Sequence, residues 1–334
     1  MLISVSYQSV RNQPSSIQQN KAQLLGEFAM AVAYSGFRHG QHPDRGNGAI
    51  NPTDVEILED LKILSRDSNF GLIRLYDSQE NSEAVLRVIR TNNINIKVML
   101  GIWLDAEISN HEGCPWLNEP ISNVVLESNK INNTLEIERA IRLSQNYKEI
   151  IIAVNVGNEA LVSWNDHMVP VETVISYVKK VKHSISQPVT VAENYDWWAK
   201  NGSELANELD FISVHSYPLW EGKDINEGLS FTIANIQAVR DALPDSRIVI
   251  GELGWTTVAS EFEERASEEK QLQYYTELTQ WVSNMNITTF WFEAFDEDWK
   301  GDLNNPMGAE KHWGLFSVDR KSKLVMQKFY PDLK

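Results

Sequence analysis

The stretch of sequence that decides the fold runs through residues 150–156, Ile-Ile-Ile-Ala-Val-Asn-Val, and leads into Gly157, Asn158 and Glu159. A continuous apolar and β-branched run of this length is typical of a strand buried on both faces, as in a parallel sheet. Apolar residues recur at three- and four-residue spacing before it, over 137–141, and after it, over 171–181. That spacing predicts helices. The local pattern is therefore helix, buried strand, polar loop and helix.

The same alternation repeats along the chain from residue 27 onward. Eight strand candidates occur, at residues 30–34, 72–76, 96–102, 150–156, 189–192, 211–215, 248–251 and 289–293. Helical stretches lie between them, and no linker rich in Pro, Gly and Ser divides the chain. This order favours a closed parallel barrel over an open doubly wound sheet. We predict the α/β class and a single (β/α)8 TIM barrel as a catalytic domain over residues 28–334. Residues 1–27 form an N-terminal segment to which the sequence assigns no structure.

Charge and cysteine content exclude several classes of function. The formal net charge is −16, from 46 acidic and 30 basic side chains, and no run of lysine or arginine stands out. We therefore expect no nucleic-acid partner. Cys114 is the only cysteine, so the chain forms neither an intrachain disulfide nor a cluster of thiolate metal ligands. Residues 1–14 lack the apolar segment of a signal peptide, and no stretch reaches 18 apolar residues. We expect no membrane insertion, and the compartment is unknown from this chain.

Active sites of such barrels are built by the loops after the C-terminal ends of the strands, which makes polar residues at those positions candidates. They are Arg74, Tyr76, Asp77, Asn158, Glu159, Glu193, Asn194, His215, Tyr217, Glu252, Glu293, Asp296 and Glu297.

Two of these candidates are carboxyl groups in positions that suit glycoside hydrolysis. Glu159 follows Asn158, whose amide can bind a sugar 2-hydroxyl, and is suited to a general acid at a glycosidic oxygen. Glu252 enters from across the barrel, where an ionised carboxylate can attack an anomeric carbon. A gap of roughly 5–5.5 Å between the carboxyl groups gives retention, and roughly 6.5–9.5 Å gives inversion. The sequence leaves this gap open. The alternative for each glutamate is a structural ion pair with Arg or Lys.

Aromatic residues are frequent, with 11 Trp, 10 Tyr and 11 Phe. Several tryptophans lie in polar, loop-like surroundings, where a flat apolar face can stack on a pyranose ring. The alternative for each is packing in the core of the barrel. Residues 103–133 are too many for an ordinary βα loop, and with Trp103 and Trp116 they are expected to shape one wall of the mouth.

A metal site is the other chemistry that we considered. His215 with Glu193 or Asp196 would supply ligands, but the seven histidines include no close pair at ligand spacing. We expect no metal, and His215 is interpreted as a hydrogen-bonding residue.

Six ordered motifs give the chain a resemblance to a known family. They are YSGFR at 34–38 with GQ at 40–41, RLYD at 74–77, VGNE at 156–159, GELGW at 251–255, FDEDWK at 295–300 and HWGLF at 312–316. In this order they resemble the motifs of glycoside hydrolase family 17, the β-1,3-glucanase family, in its bacterial-type branch. The resemblance extends over most of the chain.

The resemblance implies Glu159 as acid/base and Glu252 as nucleophile, with Glu297 and Lys300 assisting through charge and hydrogen bonds. It implies a retaining hydrolase of laminarin-type β-1,3-glucan. The residues expected to contact substrate are Tyr34, Tyr76, Asn158, Tyr217 and Trp255 around the central subsite, with Trp103 and Trp299 as stacking platforms.

The same residues also fit a transglycosylase, in which a sugar hydroxyl replaces water. A catalytically silent glucan-binding barrel is the third alternative, and the presence of both glutamates argues against it. We expect no cofactor, a β-glucan as the partner, and a monomer. The resemblance indicates a secreted or periplasmic enzyme if a leader has been removed. Endo and exo cleavage are not separated by the sequence.

Overall fold

Eight parallel strands close into a barrel in the computed structural model, which describes residues 16–44 and 46–332. The strands are β1 Met30–Ala33, β2 Leu72–Arg74, β3 Lys97–Ile102, β4 Ile151–Asn158, β5 Val189–Asn194, β6 Ile212–His215, β7 Ile248–Leu253 and β8 Thr289–Trp291. Each strand pairs with its neighbours in sequence, and β1 pairs with β8 to complete the ring. The predicted TIM barrel is confirmed, and the ends of the predicted strands move by at most two residues.

Helices surround the barrel. They are α1 Asp54–Lys62, α2 Glu80–Asn92, α3 Asn123–Asn146, α4 Val171–Ser184, α5 Tyr195–Asn201, α6 Ser203–Ala206, α7 Ile225–Ala242, α8 Glu268–Met285 and α9 Leu324–Phe329. The start of α1 is a capping box, in which the side chains of Thr53 and Glu56 each accept a backbone N–H from the other residue. The apolar faces of the helices pack on the strands, and Leu61, Val85 and Val178 are fully buried there.

The lower end of the barrel is filled by apolar side chains. One layer contains Leu25, Ala31, Leu72, Met99, Ala153, Phe211, Val249 and Phe290. A larger layer lies between the strands and the helices. Since the lower end is a packed core, the polar side chains inside the barrel gather at the C-terminal ends of the strands.

The N-terminal segment lies across the lower end of the barrel. Residues 21–23 and 25–27 form short 3-10 turns, and Leu25 belongs to the lower apolar layer. The side chain of Gln19 donates to the carbonyl of Ile248 and accepts its N–H, both at 2.8 Å. Residues 1–15 of the predicted segment lie outside the described residues. The domain boundary between residues 27 and 28 stays a prediction.

The structure differs from the prediction in the long segment after β3. Only residues 103–122 are a loop, since α3 begins at Asn123, ten residues before the predicted end of the loop. β4 and β7 also extend two residues further than predicted, and their pairing with β5 and β8 shifts register near these ends. Irregularities of this kind change the direction of side chains, and here they lie beside Asn158 and Glu252.

Candidate active site

A sharp turn at the end of β4 carries Asn158 and Glu159. Gly157 and Glu159 both have left-handed backbone angles, with φ of 82° and 50°. A glycine adopts such angles at little cost, whereas a glutamate is strained. The N–H of Glu159 donates to the carbonyl of Ala192 in β5 at 2.9 Å. The Glu159 side chain is 21% exposed, so a ligand can reach its carboxyl group.

Glu252 lies near the end of β7, among hydrogen-bond donors. Its Oε1 accepts from Nη1 of Arg74 and from the hydroxyl of Tyr76, both at 3.0 Å. Its Oε2 accepts from the hydroxyl of Tyr217 at 2.7 Å. Only 8% of the side chain is exposed. Three donors of this kind fix the position of the carboxylate and favour its ionised form.

Arg74 hydrogen-bonds to groups at the ends of both β4 and β7. It is fully buried, and besides Glu252 it donates to the carbonyl of Gly251 at 2.8 Å and to Oδ1 of Asn158 at 2.5 Å. A side chain at residue 251 would place its Cβ 3.3 Å from Nη1 of Arg74 and 2.0 Å from Oγ of Ser213. Gly251, the first glycine of the motif GELGW, therefore leaves space for the Arg74 guanidinium beside β7.

His215 bridges Glu159 and Arg74. Its Nδ1 lies 3.0 Å from Oε1 of Glu159, and its Nε2 lies 3.1 Å from Nη1 of Arg74. A guanidinium only donates hydrogen bonds, so Nε2 is the acceptor of this contact and a proton is on Nδ1. Nδ1–H then donates to Glu159. Both ring nitrogens are occupied, which argues against the metal site considered from the sequence.

The surroundings of Glu252 shift its pKa and the pKa values of the neighbouring tyrosines in opposite directions. Burial raises the pKa of Glu252, but the imidazole of His215, the guanidinium of Arg74 and the two hydroxyl donors outweigh it, and the net pKa is below its ordinary value. Burial and the charge of Glu252 raise the pKa of Tyr76 and of Tyr217 well above theirs. Both hydroxyl groups therefore stay protonated and continue to donate to the carboxylate.

Aromatic packing holds these two tyrosines in place. The rings of Tyr76 and Tyr217 meet the ring of Phe292 edge to face, with centroids 6.4 and 6.0 Å apart. Tyr217 also packs on Trp313 at 5.2 Å. The hydroxyl positions are thus set by rigid rings rather than by flexible chains.

Glu297 and Lys300 form a separate charged cluster at the end of the barrel. Nζ of Lys300 lies 2.5 Å from Oε2 of Glu293 and 3.2 Å from Oε2 of Glu297. Glu297 also accepts from Oγ of Ser35 at 2.8 Å and from the N–H of Phe37 at 3.1 Å. Burial alone would lower the pKa of Lys300, but the two carboxylates raise it above its ordinary value. Glu297 therefore ties the loop after β1 to Lys300.

Two residues predicted to frame the central subsite lie outside it. Tyr34 is 1% exposed, and its hydroxyl donates to Asp60 of α1 at 3.2 Å. Trp255 is fully buried against Tyr274 of α8, and its indole N–H donates to the carbonyl of Arg265 at 2.9 Å. Both side chains point to the helix layer, so the prediction for Tyr34 and Trp255 is wrong. Tyr76, Asn158 and Tyr217 are brought together as expected.

Glu310 is a carboxyl group close enough to Glu252 and Glu159 to be affected by their charges, and the sequence did not single it out. It lies in the short 3-10 turn Ala309–Lys311 and is half-buried. Burial raises its pKa to about 7; Lys300 opposes this, and the carboxylates of Glu252 and Glu159 add to it. Its position inside the long loop after β8, far from a strand end, excluded it from the candidates. The feature of the sequence that could have identified Glu310 is its position two residues before the motif HWGLF.

A comparison with known families fits this arrangement. The sequence profile of the BtgE/BtgC glycoside hydrolase domain matches residues 31–314, which include the whole barrel from β1 to β8 except Met30. The chain belongs to the BtgE/BtgC glycoside hydrolase domain family. The match includes Glu159, Glu252, Glu297, Lys300 and Glu310.

Relatives of this glycoside hydrolase domain carry glucanase names. The chain is 28% identical to btgC of Aspergillus niger, named in the class of glucan endo-1,3-β-glucosidases, over 81% of this chain and 40% of that protein. It is 24% identical to a glucan 1,3-β-glucosidase of Schizosaccharomyces pombe, over 83% of this chain and 82% of that protein. The chain thus spans about two fifths of the Aspergillus niger relative and most of the yeast one.

Solved structures with the same architecture include two glucan-active enzymes. An endo-laminarinase from Formosa Hel1_33_131 has a TM-score of 0.77 at 25% identity, with 93% of this chain and 89% of that chain covered. A glycoside hydrolase family 17 β-1,3-glucanosyltransferase from Rhizomucor miehei has a TM-score of 0.67 at 22% identity, with 89% and 96% covered. The second likeness supports the fold alone.

The two predicted stacking platforms of the glycoside hydrolase domain differ in their surroundings. The ring of Trp103 lies 4.5 Å from that of His167, whose Nε2 donates to the carbonyl of Asn158 at 2.8 Å. Trp103 is therefore next to the turn that carries Glu159. Trp299 donates to Oε2 of Glu297 at 3.0 Å and meets Phe37 edge to face, and thus belongs to the Lys300 cluster. Both side chains are half-buried.

The part of the glycoside hydrolase domain that the structure describes contains neither a metal-binding cluster nor a membrane-spanning helix. No three His, Cys, Asp or Glu side chains there are grouped so that they could hold a metal ion. No helix there combines the length and apolar character needed to cross a bilayer.

Proposed function

We propose that this glycoside hydrolase domain cleaves β-1,3-glucan with retention of configuration, using Glu159 as acid/base and Glu252 as nucleophile. The observation that carries the proposal is that one nitrogen reaches both carboxyl groups. Nδ1 of His215 lies 3.0 Å from Oε1 of Glu159 and 3.6 Å from Oε2 of Glu252.

These distances limit the gap between the two carboxyl groups. Two oxygens at 3.0 and 3.6 Å from a common nitrogen are at most about 6.6 Å apart. The limit is reached only if the two oxygens and the nitrogen lie on one straight line, and any bend at the nitrogen shortens the gap. Retaining pairs lie roughly 5–5.5 Å apart, whereas inverting pairs need roughly 6.5–9.5 Å to admit a water molecule. The limit admits the retaining range and only the lower edge of the inverting range, which supports double displacement.

The surroundings of the two carboxyl groups favour different roles. Glu252 is paired with Arg74 and accepts from two tyrosine hydroxyls, and its lowered pKa keeps it ionised as a nucleophile requires. In the described part of the chain, Glu159 has no Lys or Arg ion-pair partner, and its carboxyl group bonds to His215. Glu159 is thus the carboxyl group better able to carry the proton of a general acid.

The proposed reaction has two steps. The carboxylate of Glu252 attacks the anomeric carbon while Glu159 gives its proton to the glycosidic oxygen, so the bond to the leaving sugar breaks and an ester forms on Glu252. Water then attacks the same carbon, Glu159 takes a proton from it, and the ester bond breaks to restore Glu252. The amide of Asn158, oriented by Arg74, is placed to bind the sugar 2-hydroxyl in both steps. No cofactor is needed.

The substrate is proposed from the names of the relatives and of the endo-laminarinase. The decisive experiment is the cleavage of laminarin, with products resolved over time and the first anomer identified by proton NMR. A β-anomer formed first supports retention, and an α-anomer contradicts it. The size of the early products separates endo from exo cleavage. A wild type that binds laminarin without cleaving it would support the silent barrel instead.

Transfer to a second glucan is the alternative outcome of the same intermediate. One solved structure of the same fold is a β-1,3-glucanosyltransferase, and this likeness supports the alternative. Products longer than the starting oligosaccharide at high substrate concentration would indicate transfer. Hydrolysis products alone would indicate that water reaches the ester.

Finer assignments belong to the same proposal. We propose membership of glycoside hydrolase family 17, with Tyr76, Asn158 and Tyr217 at the central subsite and Trp103 and Trp299 as platforms. Lys300, held between Glu293 and Glu297, contributes positive charge near the cleft. A monomer, a secreted or periplasmic location and a bacterial-type branch stay predictions.

Replacing Tyr217 by Phe removes one hydroxyl donor from Glu252. We expect kcat/KM on laminarin to fall about 10-fold, as the loss of one hydrogen bond to a charged group predicts. The pKa of Glu252 rises when the donor is lost, so activity begins to disappear at a higher pH as the solution is acidified. A pH profile of kcat/KM measures both effects. Tyr274→Phe is the matched control, because its buried hydroxyl bonds to Thr232 far from the cleft. Unchanged kinetics for Tyr217→Phe would remove Tyr217 from the site.

Replacing Trp103 by Ala tests the platform next to Asn158. We expect KM for long laminarin oligosaccharides to rise about 10-fold with little change in kcat, since aromatic stacking contributes on the order of 1 kcal/mol. An aryl β-glucoside that occupies only the central subsite serves as the internal control and is expected to be cleaved at the wild-type rate. Equal losses on both substrates would show that Trp103 supports the turn rather than the sugar.

A further inference from the structure

Glu193 is a buried carboxyl group beside the turn that carries Glu159. It lies in β5 and is fully buried. Its Oε1 accepts the backbone N–H of Leu161 at 2.9 Å, and the N–H groups of Ala160 and Asn194 also bond to its carboxyl group. We infer that Glu193 is a positioning residue that orients Glu159 through the two peptide groups that follow it. This inference rests on the proposed acid/base role of Glu159.

The turn requires such support because its backbone is strained. Left-handed angles at a residue other than glycine cost on the order of 1–2 kcal/mol, so the turn relaxes unless neighbouring groups fix it. The N–H of Glu159 is held by Ala192, and its carbonyl accepts from Nδ2 of Asn165 at 3.0 Å. Glu193 holds the next two N–H groups. Without it, these buried donors lose their acceptor and the turn can rotate the Glu159 carboxyl away from the glycosidic oxygen.

The charge of Glu193 matters as much as its position. Burial and the nearby charge of Glu159 raise the pKa of Glu193 well above its ordinary value, and the backbone N–H donors oppose this. Its Oε2 has no hydrogen-bond partner, and no ion pair involves Glu193 within the described residues. A neutral carboxyl group accepts the N–H bonds without placing a second negative charge next to the acid/base. An ionised one would repel the carboxylate that forms on Glu159 in the first step.

The neighbours of Glu193 exclude the simpler ligand roles. His215 uses both of its ring nitrogens for Glu159 and Arg74. Asp196 pairs with Lys200 on α5. The contacts that are present on Glu193 come from the backbone N–H groups of 160, 161 and 194, which is the pattern of a residue that shapes a loop.

Glu193→Ala and Glu193→Gln separate positioning from simple stability. We expect Glu193→Ala to lower kcat on laminarin on the order of 10²-fold with KM changed less than about 3-fold, because a misplaced acid slows the chemical step and not binding. Glu193→Gln keeps the oxygen that accepts the N–H groups and is neutral. It should restore kcat to within about 3-fold of the wild type and leave the alkaline limb of the pH profile unmoved.

Glu136→Gln is the matched control. Glu136 is also a buried glutamate that accepts a backbone N–H after a strand, that of Ser78 at 2.6 Å, but it is not bonded to either carboxylate of the site. We expect Glu136→Gln to change the melting temperature without changing kcat. Circular dichroism gives the folded fraction of every variant. A folded Glu193→Ala with wild-type kcat would overturn the inference.

The pH profile and the infrared spectrum of Glu193→Gln both report the protonation of Glu193. An alkaline limb that moves to lower pH in Glu193→Gln would show that Glu193 is ionised and contradict its neutral role. The difference infrared spectrum between wild type and Glu193→Gln near neutral pH should contain the C=O band of a protonated carboxyl group, and this reading does not depend on activity. If the wild type itself cleaves no β-glucan, the proposed function fails. If the wild type is active and Glu193→Ala equals it, only the positioning role fails.

Discussion

Glu252→Ala is expected to lose the hydrolysis of laminarin by on the order of 10⁴-fold or more, the usual cost of removing a nucleophile whose partners remain. The substitution deletes the atom that would form the ester, and the donors Arg74, Tyr76 and Tyr217 cannot replace it. Binding should survive, because these donors and the aromatic walls are unchanged. The measurement is kcat on laminarin together with laminarin binding by calorimetry.

Azide gives this prediction a chemical control. The cavity left at Glu252 can admit azide, which attacks from the side of the missing carboxylate and gives an α-glycosyl azide from an aryl β-glucoside. Glu252→Gln, which keeps the volume of the side chain, should be equally inactive but should not be rescued. A β-glycosyl azide, or residual activity above about 1% of the wild type, would contradict the assignment of Glu252.

Glu159→Ala is expected to lose activity in a way that depends on the leaving group. Cleavage of laminarin, whose leaving sugar needs a proton, should fall about 10²–10⁴-fold. Formation of the ester from a dinitrophenyl β-glucoside should be nearly unaffected, since that leaving group departs without a proton. The ester then accumulates because no base activates water, which appears as a burst followed by a slow phase. Stopped-flow absorbance measures both phases.

The alkaline side of the pH profile provides the second test of Glu159. In the wild type, activity falls at high pH when the general acid loses its proton. In Glu159→Ala this limb should disappear for the dinitrophenyl substrate, whereas the acid limb that reports Glu252 should remain. Azide should here attack the accumulated ester from the opposite face and give a β-glycosyl azide. Equal losses on laminarin and on the dinitrophenyl substrate would make Glu159 a structural residue.

The strands of the fold were accessible from the sequence because each is a buried apolar run. The early part of α3 was not, since Val124 and Ile131 are 80% and 63% exposed there and no apolar stripe faces the barrel. Periodicity detects helices through the face that they bury. Helices α5 and α6 were missed for another reason, because seven and four residues are too few for a periodic pattern.

The residues of the candidate site that lie at the C-terminal ends of strands could be predicted from the sequence. Arg74, Glu159, His215 and Glu252 follow from the rule that the C-terminal ends of the strands face the cleft. Tyr34 shows the limit of that rule. Successive residues of a strand point to opposite faces, so a difference of one residue in position turns a side chain from the cleft to the helix layer. The bonding of Glu193, in β5, to the turn after β4 also depends on two neighbouring strand ends meeting in space, which the spacing of residues along the sequence does not reveal.

The N-terminal segment that lies across the floor of the barrel also constrains the order in which the chain can fold during synthesis. Gln19 binds Ile248 and Asn286, partners that are 229 and 267 residues further along the chain. Residues near Leu25 therefore leave the ribosome before β7 and β8 and wait for them. Until then the lower apolar layer is open to solvent and is a surface that chaperones would bind. Sealing the floor is accordingly a late folding event, and it links the segment before β1 to the last two strands of the barrel.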